Sequence, residues 1–150
     1  MVGLFICAEI LERKFGTRDI RNMGGLARVA PIFAVVFLIV LLGSLGVPLT
    51  NGFIGEFILL KSVFGYDTLA AIIAGVSIIL AAGYLLRMYG KTMFTEGNTE
   101  QLDGMKDVST SEFIVLGSIA ALVLVFGVYP QPIIDMVTPS LSFIYNALAH

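Results

Sequence analysis

The sequence predicts an all-α, polytopic transmembrane bundle with one discontinuous helix. Three observations predict it. The chain is 57% hydrophobic and only 13% charged, against about 45–50% and about 25% for ordinary soluble domains. Its apolar residues fall into long runs separated by short polar loops. And the most apolar part contains Ser44-Leu45-Gly46-Val47-Pro48-Leu49-Thr50-Asn51-Gly52-Phe53-Ile54-Gly55-Glu56-Phe57, which does not suit an uninterrupted helix. Proline removes a backbone donor and clashes with the preceding turn. Glycine lets the backbone leave helical geometry.

Taken in order, residues 2–12 read as the end of a helix, too short to span a bilayer because a span needs about 20 apolar residues. The chain is therefore expected to be a fragment with a truncated first helix. Glu9 and Arg13 stand four apart, the spacing of a surface ion pair. Cys7 is the single cysteine and reads as a small buried apolar residue. Residues 13–28 form a loop with Arg13, Lys14, Arg18, Arg21 and Arg28. In so apolar a chain the cluster marks the side facing the cytoplasm, and no nucleic-acid partner is expected.

Residues 29–46 and 53–65 read as the two halves of the discontinuous helix. Residues 68–89 form a clean span, with Asp67 as its N-cap and a stripe of small residues at Ala71, Gly75 and Gly83 suited to close helix packing. A polar loop over 92–110, including Glu100, ends in Ser109-Thr110-Ser111-Glu112, a capping box for a helix over 112–128. That helix stops at Tyr129-Pro130-Gln131-Pro132. Residues 132–149 read as an amphipathic tail interrupted by Pro139, and the terminal His150 carries no weight.

Charge decides how often the broken region crosses. With a single crossing over residues 29–65, eight of the nine Lys/Arg lie on one side, Arg87, Lys91 and Lys106 joining the five of the first loop. With two crossings they split five against three. The positive-inside rule favours the single crossing.

Glu56 is the candidate site residue. A carboxylate at membrane depth costs on the order of 2.5–3.5 kcal/mol and is functional by default. A break beside it frees backbone groups that ordered water can satisfy. The pair makes a wet, proton-exchanging spot, so Glu56 is read as a proton relay. A structural ion pair with another helix is the bland alternative. Gly46, Pro48, Gly52 and Gly55 are read as permitting the break. Ser44, Thr50 and Asn51 either line a water path or satisfy loose backbone. Lys61 sits five residues beyond Glu56 on a different face and reads as snorkelling to the far interface, with a place in the polar lining of the relay as the alternative. No metal-ligand cluster or nucleotide-binding glycine pattern appears in the sequence.

Taken together, Thr17-Arg18-Asp19-Ile20, Met23-Gly24-Gly25-Leu26, Ser44-Leu45-Gly46-Val47-Pro48, Gly52-Phe53-Ile54-Gly55-Glu56-Phe57 and Tyr129-Pro130-Gln131-Pro132 resemble the antiporter-like, proton-translocating membrane subunits of respiratory complex I (NADH-quinone oxidoreductase). The M branch, counterpart of mitochondrial subunit 4, fits best. The resemblance covers nearly the whole chain but only the C-terminal third of the family's fourteen-helix subunit. It implies two inverted repeats, each with a discontinuous helix, the second corresponding to residues 29–65. It implies a charged residue near that break in the outer half of the proton path: lysine in the L and N branches, glutamate in M, matched by Glu56. It implies other complex I membrane subunits, the lipid bilayer and protons as partners, in a bacterial plasma (inner) membrane. NADH, FMN, iron–sulfur clusters and quinone are expected in partner subunits and no cofactor in this chain. The family's first repeat is absent, and Lys61 is not part of its pattern. A multisubunit cation/proton antiporter, a membrane-bound hydrogenase and a non-transporting membrane scaffold remain as rivals.

Overall fold

The computed structural model describes residues 1–96 and 102–148, so Glu100 and His150 lie outside the described residues. Every regular element among them is helical: α1 (Val2–Phe15), a 3₁₀ turn (Ile20–Asn22), α2 (Leu26–Val29), α3 (Pro31–Ser44), α4 (Asn51–Tyr66), α5 (Thr68–Phe94), α6 (Thr110–Val128) and α7 (Gln131–Leu148).

Local chemistry sets most of these bounds. α1 runs past residue 12 to Phe15, because no breaker comes before Gly16, which closes it in the left-handed conformation at φ 65°. The stretch 13–28 is thus not all loop. Asp19 accepts from the Arg21 amide to cap the 3₁₀ turn, and α2 follows. Pro31 occupies the first turn of α3, the one helical position where its missing N–H costs nothing. Asp67 accepts from the Leu69 and Ala70 amides and opens α5. α5 continues five residues beyond 89, as Tyr89, Thr92 and Met93 bury their side chains. The capping box between Ser109 and Glu112 opens α6, both of its hydrogen bonds being made. α7 runs through Pro139 rather than breaking there; proline deletes one ladder bond, and adjoining turns can carry the helix past it.

α3 is the centre of the bundle. Phe33, Ala34, Val36, Phe37, Val40, Leu41 and Gly43 are buried on it, against Cys7, Ile10 and Leu11 of α1, Leu26 of α2, Tyr89 and Met93 of α5, and Leu116 and Ala120 of α6. α6 runs parallel to α3: Gly3 of α1 lies between Val40 and Ile119, Gly43 lies on Val123, and Gly127 lies on Leu49 and Thr50. α5 runs antiparallel to both halves of the broken helix. It turns back from α4 at Asp67 and ends beside the start of α3, where the Tyr89 hydroxyl donates to the Ala34 carbonyl at 2.9 Å.

This arrangement gives the crossing its form. With 14 residues α3 is about 21 Å long, and with 16 residues α4 is about 24 Å. Neither spans a hydrocarbon layer of about 30 Å. The 27 residues of α5, about 40 Å, lie along the two in succession. α5 and α6 are each long and apolar enough to cross a membrane. The outer face of α5 exposes Leu69, Ile72, Ile73, Ile79 and Leu80, an apolar surface that needs lipid or another helix over it. Gly75 and Gly83 of the small-residue stripe meet open space, whereas Ala71 is buried.

The bonds between elements gather at the basic end. Arg13 pairs with Glu112 at 2.7 Å, not with Glu9. Lys14 donates to the Lys106 carbonyl. Arg18 pairs with Glu12 at 2.8 Å. The segments over 16–25 and 102–109 therefore share one side of the bundle.

Candidate functional site: the helix break and Glu56

The break begins with a glycine-closed helix end. Past Ser44, Gly46 takes the left-handed conformation at φ 60°. The Val47 amide then reaches back to the Leu42 carbonyl at 3.3 Å, the long bond of a Schellman end. Pro48, with no N–H, cannot resume the ladder. Leu49 also lies at positive φ, 77°, which costs a residue with a Cβ roughly 1–2 kcal/mol. Thr50 closes the turn: its amide and its hydroxyl both donate to the Val47 carbonyl, at 3.1 and 2.6 Å. α4 starts at Asn51 without a side-chain cap.

The two half-helices overlap side by side in a parallel offset. A Cβ on Gly52 would strike the Gly43 carbonyl oxygen and approach the Gly46 Cα to 3.3 Å. Gly52 is thus the contact point where the start of α4 lies on the end of α3. One turn later, Glu56 folds its side chain back over Gly46. A methyl on Gly46 would come within 2.7 Å of Glu56 Cδ and overlap Oε2. The carboxylate therefore rests on the open backbone of the break. Glu56 is half-buried, and no hydrogen bond or ion pair reaches its carboxylate among the described residues.

The remaining candidate residues separate on this geometry. Ser44 donates to the Val40 carbonyl at 3.1 Å, and Thr50 is buried on its own turn, so both serve local backbone. Asn51 stands at the exposed start of α4, beside a cleft of about 350 Å³ lined by Ile54, Ile58, Phe126, Ile133 and Thr138. Gly55 lies within α4 with nothing within 4 Å of a built Cβ and does not shape the break. Lys61 is exposed on α4, away from the contacts of Glu56.

Sequence reasoning missed Gly127. A Cβ there would overlap the Leu49 carbonyl oxygen and come within 2.5 Å of Thr50 Cα, so this glycine is the seat on which the break rests. The available signal was a glycine in the last turn of an apolar helix. Among the described residues no group of three or more His, Cys, Asp or Glu is placed to hold a metal ion.

A sequence model of the family described as "NADH:quinone oxidoreductase/Mrp antiporter, TM" matches residues 1–82, which include the break and Glu56. The chain belongs to this family. Its relatives include the NADH-quinone oxidoreductase subunit M of Rhodobacter capsulatus, 34% identical over 140 residues, covering 93% of this chain and 27% of that protein. The F(420)H(2) dehydrogenase subunit M of Methanosarcina mazei is 35% identical over 133 residues, covering 89% of this chain and 27% of that protein. Among solved structures, a chain of respiratory complex I from Thermus thermophilus with bound NADH superposes with a TM-score of 0.82 at 33% identity, over 91% of this chain and 28% of that one. The chain thus spans about a quarter of the length of the curated family members it matches.

Proposed function

We propose that this chain contributes the outer half of a proton path in the membrane arm of a proton-pumping NADH:quinone oxidoreductase, with Glu56 as the relay. One observation carries the reading: the Glu56 carboxylate lies over the exposed backbone of the Gly46 turn with no protein partner among the described residues. In a chain of this family, that is a carboxylate placed to exchange protons rather than to brace a helix. A proton arriving at the break is taken up by Glu56 Oε2 or Oε1. It leaves when a neighbouring acceptor on the outer side is ready, and the open carbonyls at the end of α3 supply stations for water between the two events. Ser44 and Thr50 hold the turn, and Asn51 marks the side on which the path meets the cleft.

Electron transfer belongs to partner subunits that carry NADH, FMN, iron–sulfur clusters and quinone; the chain's own work is proton transfer. The other partners are the neighbouring membrane subunits and the lipid of a bacterial plasma membrane. Similarity to subunits of NADH-quinone oxidoreductase and of F(420)H(2) dehydrogenase at nearly equal identity supports a membrane module that serves more than one electron donor. The family description also includes Mrp antiporters. A cation/proton antiporter is therefore the second reading, with Glu56 exchanging a proton against a cation.

Glu56→Gln, placed in the full-length subunit in its native complex, tests the proposal. Assembly at the wild-type amount with several-fold lower NADH-driven proton uptake into inverted vesicles is the expected result. A scaffold role predicts undiminished uptake with Glu56→Gln and lost assembly with Glu56→Arg. Sodium-dependent proton movement in place of NADH-driven uptake would favour the antiporter.

A further inference from the structure

α3 lacks a cap of its own. Ala30 precedes it and offers no side-chain acceptor, and Pro31 has no N–H. The amides left to be satisfied in its first turn are those of Ile32 and Phe33, since Ala34 already donates to the Ala30 carbonyl at 3.1 Å. Both are taken by one residue far along the chain. The Ile32 amide donates to Asp107 Oδ2 at 2.9 Å, and the Phe33 amide to Oδ1 at 3.1 Å. The Val108 amide closes on Oδ1 at 2.7 Å, which fixes the carboxylate relative to its own loop. Shortly after, α6 begins, and it follows α3 to the break, where Gly127 meets Leu49 and Thr50. The segment from Asp107 to Gly127 therefore grips α3 at its first turn and supports the turn beyond its last.

We infer that Asp107 is a positioning residue for the Glu56 site, acting through α3. This inference rests on the proposed relay role of Glu56. Asp107 fixes the axial position of α3 from the basic side, about 20 Å from the break. α3 ends in Gly46, and the Glu56 carboxylate lies on that glycine, so the place where α3 is held decides where the carboxylate finds its floor. An α-helix is stiff along its axis, and its displacement at one end appears at the other. The loop over 102–109 is thereby tied to the proton site by two amides and one rigid rod.

The test uses the native complex carrying Asp107→Ala, Asp107→Asn or Asp107→Glu, with Glu56→Gln as reference. Two quantities are read per assembled complex: protons taken up per NADH oxidised, and the rate at which a hydrophobic carbodiimide labels residue 56, followed by mass spectrometry. Ala offers no acceptor to the two amides, and Asn offers one oxygen where Asp offers two. Losing a cap raises the displaced population of α3 about fivefold. Asp107→Ala is expected to lower the proton yield and change the labelling rate; Asp107→Asn, which keeps one acceptor for the Phe33 and Val108 amides but turns an NH2 donor toward the Ile32 amide, is expected to fall between Asp107→Ala and wild type. Asp107→Glu keeps the charge but sets it about 1.5 Å further out; it is expected to assemble and still shift the labelling, which keeps the test decisive if Asp107→Ala does not assemble. Unchanged yield and labelling in Asp107→Glu, or in an assembled Asp107→Ala, overturns the inference. If Glu56→Gln itself pumps normally, the relay reading fails instead, and the labelling comparison still reports whether Asp107 sets the geometry at residue 56.

Discussion

Replacing Gly46 with alanine changes one methyl at the point where the carboxylate and the break meet. Two costs follow from the geometry. The backbone stays at φ 60°, where a Cβ costs roughly 1–2 kcal/mol. The methyl also stands within 2.7 Å of Glu56 Cδ; because the obstacle is the end of a flexible side chain, it is relieved by swinging the carboxylate away. The backbone term corresponds to about a five- to thirtyfold rise in the locally opened fraction. Gly46→Ala should therefore assemble in reduced amount and, per assembled complex, transfer protons more slowly, because Glu56 loses its place over the turn. Gly55→Ala is the matched control: nothing lies within 4 Å of its Cβ, and the exchange should stabilise α4 by about 0.5–1 kcal/mol. The measurements are complex abundance on native gels and NADH-driven proton uptake in inverted vesicles. Equal proton uptake in wild type and Gly46→Ala, at equal abundance, would refute the link between the glycine turn and the carboxylate.

Gly127→Ala sets a methyl against backbone rather than a side chain, 2.5 Å from Thr50 Cα. Overpacking of this kind costs about 1–3 kcal/mol, so a lower melting temperature of the assembled membrane arm is expected, while Gly117→Ala, which meets open space inside α6, does not lower it and stabilises the helix by about 0.5–1 kcal/mol. Lys61→Gln should alter neither assembly nor proton uptake by a measurable amount, since Lys61 is exposed and surface changes of this kind stay within about 0.5 kcal/mol; loss of uptake would make Lys61 part of the path.

The break was legible because its causes are local. Pro48 and Gly46 carry their backbone consequences in their own covalent structure, and the capping signals at Asp67 and Ser109 depend on residues two or three positions away. Helix ends set by tertiary burial were not legible: α5 runs on to Phe94 because Tyr89 and Met93 join the core built with other elements and Thr92 is buried between them. The same limit hid Gly127 and Asp107. A glycine in an apolar helix and an aspartate in a polar loop are ordinary features of a sequence. Their roles exist only once α6 lies along α3. Gly55 shows the converse, a glycine near the break whose surroundings leave it no part in forming it.

All the side-chain bonds that tie one helix to another, among the described residues, sit near the basic loops. At the opposite end the Gly65–Asp67 corner is exposed, with Asp67 capping α5 and its amide donating to the Val63 carbonyl at 2.8 Å. Among the described residues, directional polar bonds thus fix one end of the bundle. Glu56 stands between that end and the Gly65–Asp67 corner, just past the Gly52 contact. The setting of α3 comes from hydrogen bonds, and that of α4 from its packing on α5 and α6.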